Sequence, residues 1–459
     1  MTLNVDNGYI VSGSFFGDEG KGSVVDYLAS SKNIKENVRY NGGSQASHTV
    51  IVDGVKHKFS QLGSILLNDS SINYLSEYTV VNPFNIYTEA DVLSRKIKCD
   101  INEIINRIYI SGESRIVTPY HKLIGQMKSI LDNKRGSVGS GVSQTTSVYE
   151  DSGIEIKMND LVNLDSECYF KLISLFEYTR KFLIDNNFDK CLFDRLISRD
   201  DLYYLTDKDN FDYIFNCYKS LIDSCNFNIS NIYDFHNNGD VLFEGSQGLL
   251  IDRNYGIRPN TTLLNTSNSN GVKLASKLNL NINKIGVITP FTSRHGNGIL
   301  PTYDDDINDR IYDENQVCTF YQGSPRYGWF DLVLLNYSDS INDNDEYFMT
   351  QVDRLNGFSK VKVCIAYEYF GYVDEEFDNT FEYHFEGDRV IITGIKRNSI
   401  LLKNYLMKCK CIYIDMCGWN GLDKNLDNFL YLIELYLGKK ITYLGYGEDR
   451  SMKLERRNL

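Results

Sequence analysis

The chain has 459 residues, 42% of them apolar and 24% charged, with 34 glycines and only 6 prolines, a balance that excludes disordered and collagen-like classes. At about 150 residues per domain, this length allows about three domains or one large α/β domain. Forty-eight Lys and Arg against 61 Asp and Glu give a net charge of −13, which opposes nucleic acid and anionic membrane, so an anionic ligand needs a site built for it.

In chain order, a short apolar strand at 9–11 runs into a glycine-rich turn at 13–22 and then a helix start at 23–28. Between 158 and 236 the residues are aromatic and helix-compatible with few glycines, which predicts a helical insertion. Further buried strands are expected at 241–243, 285–289, 347–352 and 361–367, and KCKCIYI reads as another. Near the end Leu426, Phe429, Leu430, Ile433 and Leu437 keep helical spacing, with Gly438 at the C′ position. The expected fold class is α/β, built on a large, mostly parallel sheet flanked by helices. No internal repeat is evident.

No apolar run approaches the roughly 20 residues that span a bilayer, and residues 1–8 lack the pattern of a secretory leader, so a cytoplasmic protein without membrane partners is expected. Ten cysteines without C-x-x-C spacing read as reduced thiols, and six histidines without an H-E-x-x-H pair suggest no protein-only metal cage.

The turn Gly13-Ser14-Phe15-Phe16-Gly17-Asp18-Glu19-Gly20-Lys21-Gly22 would present backbone N–H groups and the Lys21 ammonium to a phosphate. Against the P-loop pattern G-x-x-x-x-G-K-[ST], Gly13 lies two residues too far from Gly20, and Gly22 stands where a magnesium-binding hydroxyl is expected. A glycine-rich turn without a ligand is the competing reading. Asp18 and Glu19 favour chemistry, because a carboxylate beside a phosphate cradle repels the ligand unless it binds Mg²⁺ or moves a proton. His48, in the polar loop 39–49, reads by itself either as an ordinary loop histidine or as a catalyst.

Taken together, GDEGKG at 17–22 and VRYNGGSQASHTV at 38–50 resemble the adenylosuccinate synthetase family. The resemblance continues in the family's order through TPYHKL, GSVGSGV, FEGSQG, TSRHGNGILPT, GSPRYGWFD, TQVD, MCGW and GYGEDR. It implies one domain over 1–459 with P-loop NTPase-like topology, helical subdomains with the insertion at about 158–236, and a homodimer. The implied reaction is a GTP-dependent ligation. The 6-oxygen of IMP attacks the γ-phosphate, and the amine of aspartate then displaces phosphate from C6. The alternatives are the same chemistry on GMP or dGMP, and a GTP-binding regulatory protein without turnover.

Carried over residue by residue, Asp18 matches the base and a Mg²⁺ ligand, and His48 matches the group that stabilises the transferring phosphoryl. The carbonyl of Ser47 matches a second Mg²⁺ contact. GTP contacts fall on Gly17, Gly20, Lys21, Gly22, Thr49, Asp353, Gly445 and Gly447, with Asp353 selecting guanine. Contacts to the purine monophosphate fall on Gln45, Ser137, Gln247 and Thr262. The sequence departs from the family at Val138, where a threonine is usual, and at Gln351, where a lysine is. An arginine lent between subunits has no clear equivalent in YEDSGIEIK. The arginine-rich run that grips aspartate is reduced to GSPRYG, leaving Arg326 as its only cation.

Overall fold

The structure is a computed structural model that describes residues 5–131, 138–186, 205–311 and 322–456. Its strands are β1 (Asn7–Gly13), β2 (Glu36–Arg39), β3 (His48–Val52), β4 (Val55–Phe59), β5 (Ile72–Leu75), β6 (Ile108–Ser111), β7 (Asn228–Ser230), β8 (Val241–Gly248) and β9 (Asn281–Ile288). They continue as β10 (Phe291–His295), β11 (Pro325–Asp331), β12 (Glu346–Met349), β13 (Lys360–Tyr369), β14 (Phe381–Glu386), β15 (Arg389–Ile395), β16 (Cys409–Cys417), β17 (Lys440–Gly445) and β18 (Lys453–Glu455). Ten of them form one sheet in the order β18-β17-β12-β9-β1-β8-β2-β5-β6-β7. Only the β17–β18 pairing is antiparallel. The α/β class with a large, mostly parallel sheet and flanking helices is therefore the observed one.

Strand β1 lies in the middle because Ile10 and Val11 are fully buried and both its edges are paired in parallel, to β8 and β9. A strand covered on both faces needs this near-continuous apolar run. The chain leaves β1 through the glycine turn and enters helix α1 (Lys21–Lys32), whose Val24, Val25 and Leu28 pack back under the sheet with Val11 and Val287.

Two strand expectations change. The run at 347–352 is extended only to Met349, because Gln351 adopts φ 58° and starts a one-turn helix at Val352–Leu355. The run at 361–367 belongs to β13, but β13 lies in a second sheet. There it pairs antiparallel with β15 and β16 and parallel with β11. An apolar run reports burial and says nothing about which sheet buries it. Between 158 and 236 the described elements are helices Met158–Asn163, Ser166–Asp185, Phe211–Ser224 and Ile232–Phe235, with β7 added to the edge of the large sheet.

The last long helix, Lys424–Leu437, is capped by Asp423, whose carboxylate accepts from the N–H groups of Asn425 and Leu426 at 2.9 and 3.1 Å. It ends at Gly438 with φ 71°, where the N–H donates to the Glu434 carbonyl, an αL stop that glycine adopts without a Cβ penalty. The eight described cysteines are all unbridged. No helix among the described residues is long and apolar enough to cross a membrane.

Candidate active site

A cavity of about 710 Å³ opens where the C-terminal ends of β1, β8, β9 and β12 converge, the usual ligand position in an open parallel sheet. Its floor is the turn from β1 into α1. Gly17, Asp18 and Gly20 have φ of 107°, 64° and 80°, so the turn is left-handed at three places. Gly20 occupies the N-cap of α1 and no side chain caps that helix, which leaves its first amides facing the cavity as an anion site.

Glu19 is the clamp that holds this shape. One carboxylate oxygen accepts from the N–H groups of Phe15 and Gly17, each at 3.0 Å, and the other accepts from Lys21 Nζ at 2.5 Å. Both Glu19 and Lys21 are buried. Of the two acids in the turn, Glu19 thus serves the loop's own backbone, and Asp18 is the one on the cavity wall. Burial would raise the Asp18 carboxyl, but His295, then Lys21 and His48, outweigh it and hold Asp18 below the usual carboxylate range.

His48 opens β3, whose hairpin with β4 turns at Asp53 and Gly54, both at positive φ. Its Nδ1 donates to Glu244 Oε1 at 2.6 Å. Glu244 also accepts from Asn37 Nδ2 at 2.5 Å, from Ser64 N at 3.0 Å and from Ser64 Oγ at 2.5 Å, and it lies 3.8 Å from Arg39. Burial alone would raise its pKa, but Arg39, His48 and Ser64 bring it down to about 2, so it is ionised at neutral pH. Burial also lowers the pKa of His48, more than Glu244 raises it. The imidazole is therefore neutral in the free protein, with Nδ1 protonated.

Fourteen of the residues singled out in the sequence line this one cavity: Gly17, Asp18, Gly20, Lys21, Gly22, Gln45, Ser47, His48, Thr49, Gln247, Thr262, Asp353, Gly445 and Gly447. Ser137 lies outside the described residues. Arg326 is off the cavity wall. It pairs across β10–β11 with Arg294, which is on the wall, and its guanidinium donates to the Gly298 carbonyl. Arg294 donates to the carbonyls of Ile299 and Asn260 at 2.8 and 2.7 Å. Its pKa falls to about 9, through burial and then the charge of Arg326.

Polar atoms in the wall are left without protein partners. Both side-chain amide atoms of Gln45, and Oε1 of Gln247, are buried and make no hydrogen bond. Such groups signal a ligand, since buried polar atoms are otherwise almost always paired. Charge agrees with this. The wall carries six cations (Lys21, Lys58, Lys128, Arg294, Arg354 and Lys453) against three carboxylates (Asp18, Asp353 and Glu448), inside a chain whose net charge is −13. This is the local anion site that the overall charge demands.

Sequence reading missed several of these residues. Glu244 and His295 stood inside quoted motifs without a role, and Arg294 had none. Lys453 donates to the carbonyls of Gly447, Glu448 and Asp449 at 3.4, 3.1 and 2.9 Å, which shapes the loop that carries Gly445 and Gly447. Arg450 ties that loop to α1 through a fork onto Asp26, with Nε donating to Oδ2 at 2.7 Å.

The donor set fits Mg²⁺. Ser47 is not among the residues at positive φ, so serine sits there without strain and its backbone carbonyl is available to a cation. No cluster of three or more His, Cys, Asp or Glu occurs among the described residues. A hard cation here would take one carboxylate, one carbonyl and ligand oxygens, as Mg²⁺ does in nucleotide sites.

A family model described as adenylosuccinate synthetase matches residues 10–454. The adenylosuccinate synthetase of Hydrogenobaculum sp. is 31% identical over 96% of this chain and 98% of its own. That of Clostridium perfringens is 28% identical over 97% and 98%. Among solved structures, the fully ligated adenylosuccinate synthetase from Plasmodium falciparum superposes with a TM-score of 0.72 at 22% identity, covering 98% of this chain and 99% of that one. The cyanophage S-2L succinoaminodeoxyadenylate synthetase, solved with dGMP and with dATP as an energy donor, shares the fold at a TM-score of 0.57 and 12% identity, covering 98% and 96%. The chain belongs to the adenylosuccinate synthetase family, ligases that form a C–N bond with GTP.

Proposed function

We propose that the protein joins aspartate to C6 of IMP at the expense of GTP, through a 6-phosphoryl intermediate. One observation carries this reading: Asp18 and His48 face the same cation-rich cavity, each supported by a further titratable side chain, His295 and Glu244. A binding-only protein has no need of this pairing of a carboxylate with a braced imidazole.

In the first half-reaction Asp18 takes the N1 proton of the purine, and the 6-oxygen becomes a nucleophile. His48 answers the charge on the transferring phosphoryl through Nε2. Burial holds its pKa down in the free protein, and the negative charge of bound phosphate would raise it, so that a proton taken from solvent on binding gives Nε2 an N–H to donate. The amides at the start of α1 and the Lys21 ammonium, set in place by Glu19, hold the phosphates. Asp18 and the Ser47 carbonyl would hold Mg²⁺, which would supply charge neutralisation at the phosphate oxygens.

Asp353 offers its carboxylate to the N1 and N2 donors of guanine, a pair that adenine lacks. Thr49, Gly445 and Gly447 belong to the same nucleotide, and Gln45, Gln247 and Thr262 to the purine monophosphate. For aspartate, the cation on the wall is Arg294, while Arg326, off the wall, lies opposite it in the β10–β11 register. A homodimer, checked by light scattering, is part of the same proposal.

The test is phosphate release from GTP with IMP, GMP and dGMP in turn, each with and without aspartate. Release that requires IMP and aspartate together is expected. Release with GMP or dGMP and not IMP assigns the protein to the 2-amino product, and hydrolysis indifferent to both co-substrates defeats the ligase reading.

A further inference from the structure

His295 closes β10, where the ladder to β11 sets it opposite Pro325 and fixes the direction of its side chain. Its Nδ1 lies 3.3 Å from the Gly323 carbonyl, and its Nε2 lies 3.3 Å from Asp18 Oδ2. The imidazole is nearly buried, whereas Asp18 is 38% exposed. A ring held at both nitrogens thus stands against one oxygen of the carboxylate that faces the acceptor purine.

We propose that His295 is a positioning residue for Asp18 and that, by occupying the Oδ2 side of the carboxylate, it selects acceptor purines without a 2-amino group. This rests on the reading of Asp18 as the N1 base. A carboxylate open on both sides takes N1–H on one oxygen and an exocyclic N2–H on the other, which is the pairing suited to guanine. With the imidazole against Oδ2, the side facing the purine is left with Oδ1, whose second lone pair would serve Mg²⁺, so no acceptor remains for a further N–H. Hypoxanthine needs one acceptor there and presents only C2–H beside it. A 2-amino-6-oxopurine would bring an N–H donor against the donating edge of the imidazole, and that hydrogen would be desolvated without a partner. The same contact fixes the carboxylate's rotation, so losing it should lower turnover on the preferred purine as well.

The experiment compares the unaltered protein with His295→Ala, His295→Leu and His295→Gln, all with GTP, Mg²⁺ and aspartate. The kcat/KM for phosphate release is measured with IMP and with GMP. In His295→Ala and His295→Leu the ratio of GMP to IMP is expected to rise roughly tenfold or more, the scale of one misplaced polar contact. The kcat with IMP should fall while KM for GTP stays unchanged. His295→Gln, which returns an N–H donor, should recover most of the discrimination. Folding is checked by thermal midpoint, and the leucine variant keeps bulk at the site should the alanine variant be unstable.

Calorimetric titration of IMP and GMP into protein loaded with a non-hydrolysable GTP analogue gives a second reading of the ratio that needs no turnover. A preference for IMP in that titration that disappears in His295→Leu supports selection even if the ligase reaction fails. A GMP to IMP ratio that stays within twofold of the unaltered protein, in binding and in turnover, overturns the proposal while leaving the ligase reading intact.

Discussion

The α-carbon of Gly22 faces His48 so closely that a Cβ built on the glycine would lie 2.4 Å from the histidine Cβ and 2.8 Å from Ser64 Oγ. In P-loop proteins the matching position carries Ser or Thr. Here the hairpin of β3 and β4 brings the Cβ of His48 into that space, so a hydroxyl residue is excluded and the histidine lines the cavity beside the turn. The absence of Ser or Thr after Lys21, which reads in the sequence as a weakened motif, is the steric condition for the position of His48.

Gly22→Ser is therefore expected to weaken the enzyme where the P-loop pattern would suggest an improvement. Overpacking against β3 should cost about 1–3 kcal/mol of stability and displace His48 from Glu244. Thermal midpoint and kcat should fall together, and a serine variant with full turnover would contradict the contact.

What was legible in the sequence was local. The strand, turn and helix at the start, the αL stop at Gly438 and the order of the motif blocks can be read from neighbouring residues. Pairings made by the sheet could not be read. Glu244 reaches His48 from 196 residues away because β8 lies beside β2 and β1. Arg294 meets Arg326 only through the β10–β11 register. Glu19 shows the reverse error: an acid in a phosphate turn suggested chemistry, yet its oxygens are engaged by Phe15 N, Gly17 N and Lys21 Nζ.

Glu244→Gln should separate binding from chemistry. The amide can still accept from His48, but it cannot supply the charge that favours the imidazolium as phosphate arrives. A loss of about 10²-fold in kcat is expected, with the KM for GTP nearly unchanged. Buried Arg39 also loses its nearby carboxylate, so the variant should be destabilised by about 3 kcal/mol, measurable in urea. Equal loss in kcat and GTP affinity would place Glu244 in the binding site itself.

Asp18→Asn keeps the shape of the turn and removes the base. Turnover should disappear while GTP still binds, because Lys21, Glu19 and the amides of α1 remain in place. Single-turnover phosphate release and equilibrium binding of GTP measure the two effects independently. Activity equal to that of the unaltered protein would refute the assignment of the base.

The proposed nucleotide choice rests on Asp353, whose carboxyl is raised above its ordinary value, chiefly by burial. Asp353→Asn replaces one of the two acceptor oxygens with an amide donor. The preference for GTP over ATP in kcat/KM should narrow by about 10²-fold, mostly through loss of GTP affinity. An unchanged preference would move the guanine contact elsewhere in the cavity.

Between pH 5 and pH 7 two opposing sets of groups shape stability: His57 and His121, lowered by burial to about 4 and about 3, add to it as pH rises, while two acids outside the cavity, buried Asp331 and half-buried Glu89, take from it. Burial raises Asp331 and Glu89 to about 7 each, even though Asp331 accepts from Tyr367 Oη and Leu334 N and Glu89 accepts from the N–H groups of Ser60 and Gln61. Each therefore keeps its proton in the folded state over a range where the unfolded chain has released it. Their contribution is complete below the unfolded value near 4 and is lost as pH rises through the folded value near 7, with a slope of at most about 1.4 kcal/mol per pH unit for each group. Glu244 has the opposite sign, but its contribution is lost only as pH falls from the ordinary carboxylate value towards about 2, outside this window. Asp331→Asn retains the cap on helix Leu332–Asn342 and removes one declining share, so the unfolding free energy of the variant should gain on that of the unaltered protein as pH rises from 5 to 7. Adding Glu89→Gln should add a second gain of similar size, and a difference between the double variant and the unaltered protein that does not change with pH would refute both assignments.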